Sequence, residues 1–338
     1  MIDKHTDFFK SVDNFAKIAH VKSILVKKTR IESPLITIAI PTYKRADLLK
    51  ETIESVLKQD YERGYEVLVV DNNPDRNDET EVLMYSYIGR DNISYYKNAE
   101  NVGMVNNWNR LYELAQGKWV VLLHDDDMLC RDYLSSLIPF LKDEIGLYSC
   151  RHRILQNGRL SKSKNYKRII EEISLIDFAW GDYIGDPVGV CMQKKMVIQI
   201  GGFNSDYYPT SDYCFFAFFI KNFKALMLNE QLAVYRIERN ASFRREVLDG
   251  FMNNDYYLSC AIMDSCKIPS FIKRSIQLYR FKKQLRNLRK RWDPEYCYTG
   301  LEYSNSILIC ICSRLIYKTL YLGYVRIGKL LHWKYYGG

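Results

Sequence analysis

The chain has 338 residues, 47% of them apolar, with 49 Lys and Arg against 40 Asp and Glu and a net charge of +9. This composition excludes a disordered chain and can fill the core of one large domain or two modest ones. The cationic excess, gathered towards the C-terminal end, suits acidic lipid, nucleic acid or a phosphorylated substrate.

Nine cysteines without a repeated C-x-x-C spacing read as reduced, buried thiols of a cytosolic protein. No long apolar stretch opens the chain as a secretion signal would, and no window holds eighteen uninterrupted apolar residues. Residues 8 to 28 read as a short amphipathic helix with Phe8, Phe9, Val12, Phe15, Ile18 and Ala19 on one side, in an N-terminal appendage spanning 1–33. The main domain is expected over 34–245. It opens with an apolar strand at 35–43 stopped by Pro41, a helix at 45–59 and a second buried strand at 65–73 that ends in Asp71 and Asn72. A helix near 78–88, a strand at 93–98, a helix at 104–116 closed by Gly117 and the strand KWVVLLHDDD follow.

Strands that alternate with helices and are apolar throughout predict an α/β fold with a mainly parallel sheet covered on both faces. Ligands of such sheets sit beyond the carboxyl ends of the strands. Those ends carry Pro41, Thr42 and Tyr43, then Asp71 and Asn72, then residues 124–127. From about 145 come a strand (GLYSCRHRILQNG), an exposed basic loop, and a strand leading to a short helix stopped by Gly201 and Gly202. A helix at 210–222 with Asp212 near its start and a strand at 225–237 complete the domain. The region 246–338 reads as helical, basic and tyrosine-rich.

Asp125, Asp126 and Asp127 stand side by side after the buried run Val120, Val121, Leu122 and Leu123. Adjacent anions repel, and a buried carboxylate without a partner costs several kcal/mol, so a cation or a ligand with donors is the natural compensation.

In their order, IAIPTYKRADLLKETIESVLKQ, EVLVVDNN, NAENVGMVNNWNRLYELAQGKWVVLLHDDD, GGF at 201–203 and SDYCFF make the first 240 residues resemble family 2 glycosyltransferases. The resemblance implies a GT-A, Rossmann-like mixed and mainly parallel sheet flanked by helices. It implies inverting transfer of one sugar from a nucleotide sugar, UDP-linked by preference, to a lipid-linked glycan of bacterial O-antigen or capsule. It also implies Mn²⁺ or Mg²⁺ to stabilise the leaving diphosphate. A D-x-D element falls within 124–127 in one of two registers, His124 with Asp126 or Asp125 with Asp127. Asp126 and Asp127 are the expected metal ligands, and Asp125 a donor contact.

By the same resemblance Asp71 accepts a hydrogen bond from the base, which Pro41, Thr42 and Tyr43 line. Arg45 lies near the phosphates, and Asn101, Gly103 and Asn109 form an N-x-G…N element towards the donor. Asp212 is the implied general base although Ser211 replaces the usual acid before it, with Asp206 as competitor. The segment VYRIERNASF is similar to one that closes over donor phosphates. Glu238 stands there in place of a His, which leaves Arg236 or Arg239 to pair with phosphate.

Residues 267 to 292 contain no acid, and their Lys and Arg alternate with apolar residues as in a helix lying on an anionic leaflet. The stretch from 306 onward is apolar and aromatic but too interrupted by cations to span a bilayer. The expectation is a non-processive cytoplasmic enzyme, peripheral on the inner face of the plasma membrane. RKRW, ending at Trp292, lacks the Gln of the Q-x-x-R-W of processive synthases. A nucleic-acid-binding protein using the same basic helix, or a catalytically silent nucleotide-sugar-binding module, is the alternative.

Overall fold

The computed structural model describes residues 2–61, 64–164, 170–185, 187–237, 245–291, 293–298, 300, 306–324 and 333–334. Its first half runs β1 (Ser23–Lys27), β2 (Ile36–Thr42), α1 (Ala46–Leu57), β3 (Glu66–Asp71), α2 (Glu79–Tyr85), β4 (Ile93–Asn98), α3 (Met104–Leu114) and β5 (Trp119–Leu122). There follow β6 (Met128–Leu129), α4 (Tyr133–Leu137), β7 (Ile145–Gln156), β8 (Arg159–Leu160), β9 (Ile170–Ile173), β10 (Val190–Gln193), α5 (Lys194–Gln199), α6 (Ser211–Asn222) and β11 (Lys224–Ile237). The C-terminal part holds α7 (Arg245–Ser265), α8 (Ser270–Arg291), α9 (Ile307–Gly323) and β12 (Trp333–Lys334).

One mixed sheet runs in the order β1-β4-β3-β2-β5-β10-β7-β11-β9-β12, with β6 on β11 and β8 on β7. The block β4-β3-β2-β5 is parallel, whereas β10 runs antiparallel to both of its neighbours. Alternation along the parallel strands explains the two cores. Ala39, Leu68, Val70, Val120 and Leu122 face one, and Ile38, Ile40, Val67, Val69, Val121 and Leu123 face the other. With both faces covered, these strands are apolar at nearly every position, each such side chain contributing about 1.5–3 kcal/mol. Leu49, Thr52, Ile53 and Val56 recur at helical spacing and seat α1 on the second core. Helix α6 is apolar all round because it is buried inside the first.

The expected helix over 8–28 is corrected. A short 3₁₀ turn (Ala16–Ile18) leads into β1, which pairs antiparallel with β4 at the sheet edge. Local chemistry defeats the helix: Asp7 accepts from the Phe9 N–H, and Asp13 from the N–H groups of Phe15 and Ala16. The apolar residues serve the main body instead, with Phe8 and Phe15 packed in the first core. The helical C-terminal region is present, and Leu258 and Ile262 of α7 and Ile276 of α8 belong to that same core.

Candidate active site

The parallel strands end in register, Thr42 opposite Asp71 and Asp71 opposite Lys97, so their following residues form one rim. Beyond β5 the chain makes a tight turn, the Asp127 N–H donating to the His124 carbonyl at 3.2 Å. Neighbouring elements strap it down. The Thr52 hydroxyl of α1 donates to the Asp127 carbonyl at 2.8 Å. From β11, the Arg236 N–H donates to Asp127 Oδ1 and its Nε to the Asp126 carbonyl, both at 2.9 Å, while Nη2 pairs with Glu51 of α1.

Within this turn the three carboxylates part company. Asp125 turns to β2, its Oδ2 accepting from the Thr42 hydroxyl at 2.8 Å with Arg45 Nη1 3.5 Å from Oδ1. Burial pushes the Asp125 carboxyl up to about 6, against the pull of Thr42 and Arg45. Asp126 accepts from Arg45 Nη1 at 2.9 Å. His124, Asp126 and Asp127 each bring one ligand atom within 4.8 Å of the others. This arrangement groups His124 with Asp126, one of the two registers open in the sequence, and draws in Asp127. Two carboxylate oxygens and an imidazole nitrogen form a donor set that Mn²⁺ accepts. The His124 ring stacks on Trp108 of α3, centroids 5.3 Å apart and planes 19° apart.

Several sequence-predicted residues are turned inward. Asp71 is wholly buried; its Oδ2 accepts from Lys97 Nζ at 2.8 Å and the Tyr95 hydroxyl at 3.0 Å, and its Oδ1 from the Asn73 N–H at 2.9 Å. Burial raises the Asp71 carboxyl above the ordinary carboxylate range, with the Lys97 ammonium pulling against it. Asn109 is buried too, donating to the Phe203 carbonyl and accepting from the Phe203 N–H, both at 2.8 Å. It holds the GGF turn, where Gly202 has φ +73° and an added Cβ would stand 2.5 Å from Asn109 Oδ1. Phe203 packs edge-on to Trp108 at 5.4 Å, so this clamp backs the His124 stack.

Asn101 joins an asparagine ladder that sequence reasoning missed. Asn72 donates to Asn101 Oδ1 at 2.7 Å, and Asn98 donates to Asn72 and Asn107 at 3.0 and 2.9 Å. The Gly103 N–H closes the ladder on Asn101 Oδ1 at 2.9 Å, with Gly103 at φ +81° capping α3. Pro41 is buried within β2, whereas Tyr43 is 43% exposed beside the rim. Asp212 lies half-buried in the first turn of α6, its Oδ1 accepting from the Tyr213 N–H at 2.8 Å. Its competitor Asp206 pairs with Lys17 at the surface. Glu238 and Arg239 fall outside the described residues.

Among known proteins, the chain is similar to the GalNAc(5)-diNAcBac-PP-undecaprenol beta-1,3-glucosyltransferase of Campylobacter jejuni, 27% identical over 238 residues covering 70% of this chain and 74% of that one. It is similar to abequosyltransferase RfbV of Salmonella typhimurium, 30% identical over 119 residues, 34% of this chain and 35% of the relative. Its fold is similar to that of S. aureus TarS 1-349 solved with UDP-GlcNAc, TM-score 0.57 at 15% identity, covering 77% of this chain and 74% of that one. It is similar also to mannosyltransferase PcManGT from Pyrobaculum calidifontis solved with GDP-Man and Mn²⁺, TM-score 0.52 at 16% identity, covering 88% and 86%. The mostly parallel sheet flanked by helices is GT-A-like, the family model described as Glycosyl transferase family 2 matches residues 37–251, and the chain belongs to that family.

Proposed function

We propose that this glycosyltransferase moves one sugar, with inversion, from a UDP-linked donor to a glycan on a lipid diphosphate carrier of the O-antigen or capsule type. The observation that carries the donor half is the convergence of His124, Asp126 and Asp127 at the end of β5, flanked by Arg45 and Arg236. The acceptor half is supported by the Campylobacter relative, whose name specifies a PP-undecaprenol substrate.

His124, Asp126 and Asp127 would hold Mn²⁺ or Mg²⁺, which when bound neutralises the charge developing on the leaving diphosphate. Arg45 and Arg236 add guanidinium charge for phosphoryl oxygens. Thr42 and Tyr43, with Asn72 and Asn73 at the end of β3, border the space for base and ribose. Asp71 positions this rim from beneath through Lys97, Tyr95 and Asn73. Asp212 takes the proton from the acceptor hydroxyl as its oxygen bonds to the anomeric carbon. The bond from that carbon to the diphosphate breaks, and its electron pair leaves with the nucleotide.

Attachment to an anionic membrane surface is part of this reading, supported by α9, which exposes Ile307, Leu308, Ile309, Ile311 and Leu315 beside the basic α8. Among the described residues no helix is long and apolar enough to cross a membrane.

A thermal-shift series with UDP, GDP, CDP and dTDP, with and without Mn²⁺, tests the donor. We expect the largest stabilisation from UDP with Mn²⁺, and little without the cation. Equal shifts with and without Mn²⁺ would overturn the metal role, and a preference for another nucleotide the choice of UDP.

A further inference from the structure

A cavity of about 450 Å³, open on one side, is bordered by the 3₁₀ turn Leu175–Trp180 and the residues after it, by α8 and by the end of α9. Its size falls within the range of small-ligand sites. Trp180, Tyr279, Tyr317, Tyr321 and Tyr324 wall it. Trp180 meets Tyr317 and Tyr321 edge-on at 5.4 and 5.7 Å. Two of the tyrosine hydroxyls are tied into the protein, Tyr317 donating to the Trp180 carbonyl and Tyr324 to Asp177 Oδ1. Those rings therefore offer the cavity mainly carbon surface.

Two cationic groups are left over. Lys283 of α8 and Lys318 of α9 line the opening, both exposed and neither with an acidic partner among the described residues. Asp182 lines it as well, its carboxylate accepting from the Gly185 N–H at 3.0 Å.

The cavity is coupled to the Asp212 turn. The Tyr213 hydroxyl donates to the Phe178 carbonyl at 3.0 Å. The buried Arg280 joins the carbonyls of Phe178 and Ala179 to the Tyr213 hydroxyl. N-terminal to its cavity-lining residues, α9 exposes Ile307, Leu308, Ile309, Ile311 and Leu315.

We propose that this cavity receives the reducing end of the acceptor, a prenyl-type lipid diphosphate. Lys283 and Lys318 hold phosphoryl oxygens, the aromatic walls take the first isoprene units, and the rest of the chain continues along α9. This deepens the glycosyltransferase reading above and rests on it, since the glycan would extend from the diphosphate towards Asp212.

The probe is farnesyl diphosphate, titrated calorimetrically into the full chain in EDTA so that no cation can bring the diphosphate to the acidic turn. We expect binding that weakens at least about tenfold in the Lys283→Ala/Lys318→Ala double variant, and by as much when farnesol or inorganic pyrophosphate replaces the probe. UDP affinity with Mn²⁺ should be equal in both proteins. Absence of binding, or equal affinity in the double variant, overturns the proposal. It falls too if the double variant loses only its hold on phosphatidylglycerol vesicles, because the lysines then serve a bilayer surface. Failure of the wild-type chain to bind UDP with Mn²⁺ would instead refute the donor reading, so the two failures are distinguishable.

Discussion

Lys97→Met removes the ammonium beneath the rim and keeps the bulk of the side chain. Lys97 is 1% exposed, its Nζ 2.8 Å from Asp71 Oδ2 and 2.9 Å from Asp78 Oδ1. Burial works against its charge, but the two carboxylates outweigh it and hold the ammonium above the usual lysine range. Removing one partner of a buried pair typically costs about 3–5 kcal/mol. Asp71 would keep the Tyr95 hydroxyl and the Asn73 N–H, so we expect about 3 kcal/mol, a large share of the roughly 5–15 kcal/mol that holds a domain folded.

Urea unfolding followed by circular dichroism measures the loss. Adding Asp71→Asn to Lys97→Met should recover part of it, since a neutral amide needs no counter-charge. In the single variant the folded Asp71 titrates above its unfolded value of about 3.9, so its penalty is full above the folded pKa and fades as pH falls towards the unfolded one. The deficit should therefore be smaller at pH 4.5 than at pH 7.5. A loss under about 1 kcal/mol at pH 7.5, unchanged by acid, would refute the idea that this ion pair fixes the end of β3.

Asp126→Asn should leave urea stability within about 1 kcal/mol, because an amide of the same size still accepts from Arg45, yet weaken Mn²⁺-dependent UDP binding at least about tenfold by calorimetry. Asp212→Asn should lower kcat about 10²–10⁴-fold with the donor KM unchanged, the pattern of a lost general base, read by nucleotide release. Glu81, bonded to Arg76 and the Asn77 N–H, has its carboxyl held below the usual glutamate range chiefly by Arg76. Glu81→Gln should cost about 1 kcal/mol at neutral pH. A carboxylate of depressed pKa stabilises above its unfolded value and loses that contribution as pH falls through the folded one, so parallel melts at pH 7 and pH 3 should converge in acid.

The strands of the first half were readable because burial on both faces leaves a nearly continuous apolar run, as in Ile36 to Ile40, broken only by Thr37, and Glu66 to Val70 with its single acidic start. The segment 8–28 misled because aromatic spacing alone does not reveal that Asp7 and Asp13 close local turns. The choice between the two registers of 124–127 was left open for another reason. Thr42 and Arg45, eighty or more residues away in sequence, draw Asp125 aside, and only strand register brings them there. Register likewise conceals Lys97, an ordinary lysine in ISYYKN until it stands opposite Asp71. Arg280 looked like one more cation of a basic helix, yet it is buried against Asp255 and the carbonyls of the 3₁₀ turn. Sequence places residues on a face readily, but which faces meet is decided by pairings far along the chain.

The stack of Trp108 on His124 gives the protein a built-in optical gauge. An indole in contact with an imidazole loses emission when the imidazole becomes cationic or is engaged by a metal, and Trp108, 3% exposed, is otherwise shielded from solvent quenchers. Binding of the proposed cation at His124 would then be read as a change in Trp108 emission, without a dye or a coupled reaction, with Trp108→Phe to identify its share among five tryptophans.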